Sequence, residues 1–517
     1  MNLGAINRAP TRDETREPWG IVRSDLAALG LIGLVGTLLR LAFLYRAPVF
    51  LSGDSQSHFL PGFDLALGLG FDPELRRPPG YGLFVAGVIT MFGEDLRALA
   101  FAQHVLGVAT ALLTYALGRI TFGPVVGLVA GLLVALNGAL ILSEHSVMTE
   151  ALFGAILLAA LVTLTLGAGA SGPPSVSGRD APASGRIGLW GWCLLGGLLL
   201  GLAALTRPVA QILVLVVPLA YLLIERRWQR ALGASAVVVL GFVLVVGPWT
   251  IRNWVEHGSL TASGGLGRSL VARTIKYDQG FFETDRQPAP DDLKGQAYQF
   301  VRGKRNTIRN SRSVRSTQAG LMKELGLTQA QSDGLMRQVA LEQIAERPLY
   351  YALGSLRMAG QIVAGREKED RLMPRWNDRS DKDWVEQWEG RLDHLLTPTT
   401  LAERNEQSRA EGLVEIYQPA ALGPVLPLLA VVGLALAVAY PPFRPGLLSG
   451  LAALALILAS ATLDGPVPRY RYPVDPLITL FAAGGALASI RLAAAGLKPH
   501  LVRRRAGQTA RPATADG

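Results

Sequence analysis

Asp54 is followed by Ser55 and His58, and then by the run Arg76-Arg77-Pro78-Pro79-Gly80-Tyr81. A carboxylate at Asp54 could take a proton from an incoming hydroxyl or ligate a divalent cation. It could equally cap a short helix, because Gly53-Asp54-Ser55 also reads as a helix start. In the second run two prolines fix φ and a glycine permits a sharp turn, which would hold Arg77 in a set direction. A guanidinium suits phosphate because its planar fork binds two oxygens at once. The alternative is a plain loop anchor, with Tyr81 at the membrane interface.

Other residues could join them. Thr206-Arg207-Pro208 places a charge between two apolar runs, where arginine is costly unless paired, used or able to snorkel to the surface. Glu150, after Met148-Thr149, could face the same space as Asp54 or cap its own helix. Pro248-Trp249 is followed by Arg252-Asn253, and Arg469-Tyr470-Arg471-Tyr472-Pro473 alternates guanidinium groups with aromatic rings. Arginines bind phosphates and rings stack on sugars, although Tyr and Arg also make ordinary membrane anchors. Arg40 reads as structural, and His58 and His104 lack a spacing that suggests a metal site. These residue types together point to chemistry on a lipid-anchored phosphate at a bilayer surface.

The elements that must position them are membrane helices. The 517 residues are 50% hydrophobic and 17% charged, with a mean hydropathy of +0.30. Apolar windows fall near 25–46, 96–118, 124–142, 147–168, 188–205, 207–224, 231–250, 419–440, 446–463 and 473–493. A bilayer core of about 30 Å demands stretches of about this length, so the chain reads as an all-α polytopic membrane protein of about ten spans. The first window is longer than a signal-peptide core and reads as an uncleaved helix. The single cysteine, Cys193, excludes an intramolecular disulfide. The formal charge of +10 fits basic residues facing an anionic membrane, and no nucleic-acid-reading motif accompanies it.

Arginines set the orientation. Arg8, Arg12, Arg16 and Arg23 put the tail 1–24 in the cytoplasm. Counting forward, Arg119, Arg179, Arg186, Arg226, Arg227, Arg230, Arg444 and the basic tail 494–517 also fall inside. The parity closes if the amphipathic stretch 349–365, with Arg357 in its middle, lies on the membrane rather than across it. The outer side then receives the first loop (47–95), the turn at Arg207, the long polar region 251–418 and the link carrying Arg469 and Arg471. The expected organisation is an N-terminal membrane module 25–250, the polar region 251–418 and C-terminal membrane helices 419–493. Residues 294–323 hold eight Lys or Arg and no acid, which reads as a solvated face or a surface for anionic head groups. The Ala/Gly/Ser/Pro stretch 167–185 reads as a flexible linker.

In this order, the motifs resemble the bacterial branch of the polyprenyl-phosphate-dependent glycosyltransferases. That membrane superfamily has the GT-C fold and includes protein O-mannosyltransferases and aminoarabinose transferases. The resemblance rests on Gly53-Asp54, Arg77-Pro78-Pro79-Gly80-Tyr81, Ala102-Gln103, Thr149-Glu150 and Gly201-Leu202-Ala203 with Thr206-Arg207-Pro208. Pro248-Trp249-x-x-Arg252-Asn253 and Arg469-Tyr470-Arg471-Tyr472-Pro473 complete the set. It covers 25–275 and 417–493 well and 280–416 loosely. Asp54 is followed by Ser55 where some relatives carry an Asp-Glu pair, and His58 stands where many carry tyrosine.

The resemblance implies a GT-C-like bundle with interfacial helices in the first outer loop. It also implies transfer of a sugar from a polyprenyl phosphate to a hydroxyl, with inversion, at the outer face of the cytoplasmic (inner) membrane. Asp54 would be the catalytic base. Arg77, Arg207, Arg252, Arg469 and Arg471 would hold the donor phosphate, and His58, Tyr81, Glu150, Tyr470 and Tyr472 would line the substrate space. A divalent metal stays open as a cofactor, with Asp54 as its candidate ligand. The partners implied are the polyprenyl-phosphate sugar, the bilayer, and an acceptor that is a protein, a lipid or a cell-envelope glycan. Two alternatives stand beside this one: a membrane transporter or lipid flippase, and a glycan ligase using a pyrophosphate-linked donor.

Overall fold

The computed structural model of the protein describes residues 23–47, 49, 51, 54–73, 75–169, 188–225, 227–277, 292–308, 311–364 and 425–490. Most of the N-terminal tail, Gly53, nearly all of the linker 167–185, the stretches 278–291 and 365–424 of the polar region, and the basic tail 494–517 lie outside the described residues.

The secondary structure is helical. The first helix, α1 (Arg23–Arg46), is followed by two short helices, α2 (Ser55–Ala66) and α3 (Gly80–Phe92), and then by α4 (Leu96–Thr121). The ion pair of Arg119 with Asp25, 2.6 Å long, joins the end of α4 to the start of α1, so the two run antiparallel. The next apolar window does not make one straight helix. It forms α5 (Pro124–Ala135) and α6 (Gly138–Glu144), bent by 55°. Asn137 sits at the bend, where its side chain accepts from the Ala139 and Leu140 amides and restarts the helix.

Helices α7 (Glu150–Gly169), α8 (Leu189–Thr206), α9 (Leu213–Ile224) and α10 (Trp228–His257) follow. Leu157, Leu161, Leu200, Leu213 and Val238 from these helices share one apolar core with Leu448 and Leu477 near the C-terminus. That core is how two membrane segments separated by the polar region become one bundle.

The polar region builds its own small helical unit from α11 (Leu266–Val271), a π-turn (Ala272–Tyr277), α12 (Leu293–Gly303), α13 (Ser311–Leu325) and α14 (Gln329–Glu346). Its core includes Leu270, Val271, Tyr298, Val301, Leu321 and Met336. Helix α15 (Pro348–Ala364) covers the expected interfacial stretch. It buries Ser355, Met358 and Ile362 on one face and leaves Leu349, Leu353 and Leu356 exposed on the other. Helices α16 (Val425–Ala439), α17 (Gly446–Leu463) and α18 (Asp475–Ile490) are the last among the described residues.

Among the described residues six helices are long and apolar enough to cross a membrane, or seven with the bent pair α5–α6. The other three expected spans are the shorter apolar helices Pro208–Ile224, Val425–Ala439 and Asp475–Ile490. The molecule is a multi-pass membrane protein, all-helical among the described residues, and the count of ten crossings stays an expectation.

Candidate active site

The turns at one end of the bundle enclose a cavity of about 680 Å³. Its floor is a chain of ion pairs. Asp54, just before α2, accepts on one oxygen from Arg77 Nη2 at 3.0 Å and on the other from Arg469 Nη2 at 2.9 Å. Arg77 Nε also donates to Ser57 Oγ at 3.1 Å, and that hydroxyl donates to the Asp54 carbonyl at 2.9 Å. Glu150, the first residue of α7, holds Arg207 Nη1 at 2.6 Å and lies 4.0 Å from Arg469 Nε. The Arg469 Nε–H is buried and makes no hydrogen bond.

Local sequence explains the placing. Arg207 precedes Pro208, which disfavours the helical region for the residue before it. It adopts φ −139° and ψ 120°, ending α8 and turning its side chain into the cavity. There the guanidinium lies 5.4 Å from the Tyr470 ring centre and 5.9 Å from that of Phe153. Gly80 lets the start of α3 press against this end of α8, since a Cβ on it would lie 2.7 Å from the Leu205 carbonyl oxygen. The Arg-Arg-Pro-Pro-Gly turn therefore brings Arg77 to the same corner as Arg207.

Charge and exposure divide the labour. Six guanidiniums (Arg76, Arg77, Arg207, Arg268, Arg337 and Arg469) and four carboxylates (Asp54, Glu150, Asp333 and Asp464) line the cavity, leaving it net positive. The Asp54 side chain is 29% exposed and that of Glu150 only 3%, so Asp54 is the carboxylate that an incoming group can reach. Burial raises the Asp54 carboxyl, but Arg469 and Arg77 together outweigh it and hold the group well below its usual range. Burial, with Arg77 beside it, keeps His58 well below the ordinary histidine value and therefore neutral at pH 7. The Tyr470 hydroxyl donates to Asp464, which fixes the ring beside Arg207.

Seven of the expected residues line this cavity: Asp54, His58, Arg77, Glu150, Arg207, Arg469 and Tyr470. Tyr81 lies behind it, edge-on to His58 at 5.9 Å, with its hydroxyl donating to Gln103 Oε1 at 3.0 Å. Arg252, Arg471 and Tyr472 are not among its lining residues. Arg252 pairs with Glu256, one turn on, and lies over the Trp249 ring at 4.7 Å. Arg471 pairs with Asp475 at 2.6 Å, and Tyr472 packs against the core shared by α1, α4 and α5. The basic residues of 294–323 do not line the cavity either; Lys294 pairs with Glu342.

Sequence reasoning missed the far wall. Ser263 donates to the Arg76 carbonyl at 2.7 Å, Gly264 N donates to Leu75 O at 2.8 Å, and Arg268 and Arg337 line the side formed by α11 and α14. Nothing local in the sequence marks these residues. They arrive through the packing of the polar region onto the first loop.

A divalent cation finds a poor donor set here. Both oxygens of Asp54 are taken by guanidinium groups, and among the described residues no three His, Cys, Asp or Glu side chains converge. A metal at Asp54 would have to displace an arginine.

The fold and cavity define a class: a multi-pass helical membrane protein with an arginine-rich cavity at one end of its bundle. Residues 76–172 match the family described as dolichyl-phosphate-mannose-protein mannosyltransferase. The chain is also 32% identical over 174 residues to an undecaprenyl phosphate-α-4-amino-4-deoxy-L-arabinose arabinosyl transferase of Pseudomonas aeruginosa. That match spans 33% of this chain and 29% of the relative's length. The oligosaccharyltransferase AglB of Archaeoglobus fulgidus, solved with an inhibitory peptide and a dolichol-phosphate, aligns over 95% of this chain and 52% of its own, at 13% identity and a TM-score of 0.47. ArnT of Cupriavidus metallidurans, solved with undecaprenyl phosphate, aligns over 87% of this chain and 77% of its own, at 15% identity and a TM-score of 0.36.

Proposed function

We propose that this chain is a membrane glycosyltransferase that moves a sugar from a polyprenyl-phosphate donor to an acceptor hydroxyl at the outer face of the cytoplasmic membrane. One observation carries the reading. Asp54 and Arg469, 415 residues apart, meet at 2.9 Å in an open cavity that Arg77, Glu150 and Arg207 also enter. The partial matches to lipid-phosphate-dependent transferases agree with it.

The chemistry follows from the charges. Transfer breaks the bond between the anomeric carbon and the phosphate oxygen, and the lipid phosphate leaves with the electron pair. Its developing negative charge needs preorganised donors. Arg469, with its buried unbonded Nε–H, and Arg207 supply them. The excess of guanidinium over carboxylate in the cavity suits an anionic phosphate donor. The acceptor hydroxyl attacks the anomeric carbon and gives its proton to Asp54. Between two guanidiniums Asp54 is a weak base. A donor phosphate that draws Arg469 or Arg77 toward itself leaves the carboxylate freer to accept. The isoprenoid tail would lie along Val209, Ile212, Ala459 and Leu463, the apolar side of the same cavity.

The test is Asp54→Asn in full-length protein supplied with a polyprenyl-phosphate sugar. Transfer should fall at least about 100-fold, within the usual contribution of a general base, while folded yield holds. Turnover near that of the parent chain would remove Asp54 from the chemistry.

A further inference from the structure

Behind the cavity wall, α1, α4 and α6 bury a second charged cluster: Arg40, His104, Glu144 and His145, each under 5% exposed. Arg40 Nε and Nη2 each donate to one Glu144 oxygen at 2.7 Å, and Arg40 Nη1 donates to the Ala135 carbonyl at 3.1 Å. His104 Nδ1 lies 3.0 Å from Glu144 Oε2, and His104 Nε2 lies 3.0 Å from His145 Nδ1. His145 Nε2 lies 3.1 Å from the Ala47 carbonyl. Phe43 closes the cluster edge-on to both rings, at 4.9 and 6.4 Å. Gly107 makes room for it, because a Cβ there would lie 2.1 Å from the Glu144 carboxyl.

The hydrogen bonds can be counted in protons. A carbonyl only accepts, so His145 Nε2 carries one. Glu144 accepts from Arg40 on both oxygens, so the proton of its contact with His104 sits on Nδ1. The nitrogen–nitrogen contact between the rings needs a third. Two neutral imidazoles hold two protons between them, so three contacts require one ring to be an imidazolium. Hydrogen positions are thus assigned by the network.

The cluster joins two particular pieces of chain. Ala47 lies at the foot of the loop that leads to Asp54, and His145 begins the segment that leads to Glu150. Gln103, beside His104, makes a second tie. Its Nε2 donates to the Glu144 and Ser146 carbonyls at 2.8 and 2.9 Å, and its Oε1 accepts from Tyr81, whose ring meets His58. Further along, the Ser55 hydroxyl lies 3.9 Å from the Met148 sulfur, a further contact between the residues next to Asp54 and those next to Glu150.

We propose that Glu144, His104 and His145 share one extra proton, and that this protonated bridge is a positioning device that holds Asp54 and Glu150 in register. None of the three lines the cavity, so they act through the chain and not on substrate. Only the kinetic part of the proposal rests on the glycosyl-transfer reading.

The experiment uses the full chain in lipid nanodiscs, with its six histidines labelled with nitrogen-15. At about pH 7.5, where an exposed histidine is mostly neutral, one ring should have both nitrogens protonated, and His145→Gln should abolish that signal. Six neutral rings would overturn the shared proton. In hydrogen–deuterium exchange, the peptide from Asp54 to Phe63 should exchange faster in His145→Leu, and His145→Gln, which keeps a donor, should restore slow exchange. Unaltered exchange in a folded His145→Leu would overturn the positioning role. With a polyprenyl-phosphate sugar as donor, kcat should fall about tenfold in His145→Leu at a little-changed donor KM, since misplacing a reacting group costs rate rather than binding. A parent chain that transfers no sugar would contradict the functional reading alone, because the spectrum and the exchange are read without activity. Should His145→Leu fail to fold, the spectra of the parent and His145→Gln still decide.

Discussion

Asp54 enters the reaction already committed to two partners. Each of its oxygens accepts from a guanidinium, and those partners outweigh the burial that would otherwise raise the carboxyl. The sign of the pH dependence follows. A carboxyl held below its unfolded value stabilises the fold above the ordinary carboxylate range of about 4 and loses that contribution only as the pH falls through the depressed value. The gap in Tm between the parent chain and Asp54→Asn should therefore stay constant from about pH 7 to 5 and narrow only below about 4. Differential scanning fluorimetry in detergent measures it. A gap that closes between pH 7 and 5 would mean that the two arginines do not hold the carboxylate in solution.

At the scale of elements, the cavity depends on helix ends meeting closely. The turn before α3 reaches the end of α8 because residue 80 has no side chain. Gly80→Ala would drive a Cβ into the Leu205 carbonyl, and overpacking of this kind costs typically 1–3 kcal/mol. A Tm lower by several degrees is expected, together with weaker donor binding as Arg77 moves away from Arg207. An unchanged Tm would show that α3 and α8 do not touch as described.

The turn chemistry of this region was legible in the sequence, because proline and glycine act locally. The apolar windows likewise marked the long helices, but they missed the apolar α3 (Gly80–Phe92), and α5 and α6 break at Asn137 where one straight span was expected. Side-chain direction was harder. Arg252 and Arg471 stand at membrane-surface positions beside aromatic residues, as binding arginines would. Each is drawn to an acid four residues on, Glu256 and Asp475, a local pairing that competes with any ligand. Arg40 lies outside the cavity, paired with an acid. Its partner Glu144 is 104 residues away and is linked to a pair of histidines, a contact that no spacing rule could supply.

At the scale of the whole molecule, one apolar core ties the first membrane module to the last helices, and the polar region caps the end where the cavity lies. The arginine count expects that end outside. Ser316, exposed on α13, reports on it. In intact cells Ser316→Cys should react with a membrane-impermeant maleimide, while the buried native Cys193 stays silent. Labelling that appears only after lysis would reverse the topology and place the cavity in the cytoplasm.

The central claim is that guanidinium groups far apart in the chain form one site for a lipid phosphate. Binding of undecaprenyl phosphate to the full-length protein in nanodiscs tests it most directly, with the double variant Arg207→Ala/Arg469→Ala set against Arg252→Ala. Loss of two charge-assisted contacts should weaken binding at least about tenfold in the double variant, whereas Arg252→Ala, whose side chain lies outside the cavity, should bind like the parent chain. Equal binding by all three proteins, or a loss confined to Arg252→Ala, would contradict the account.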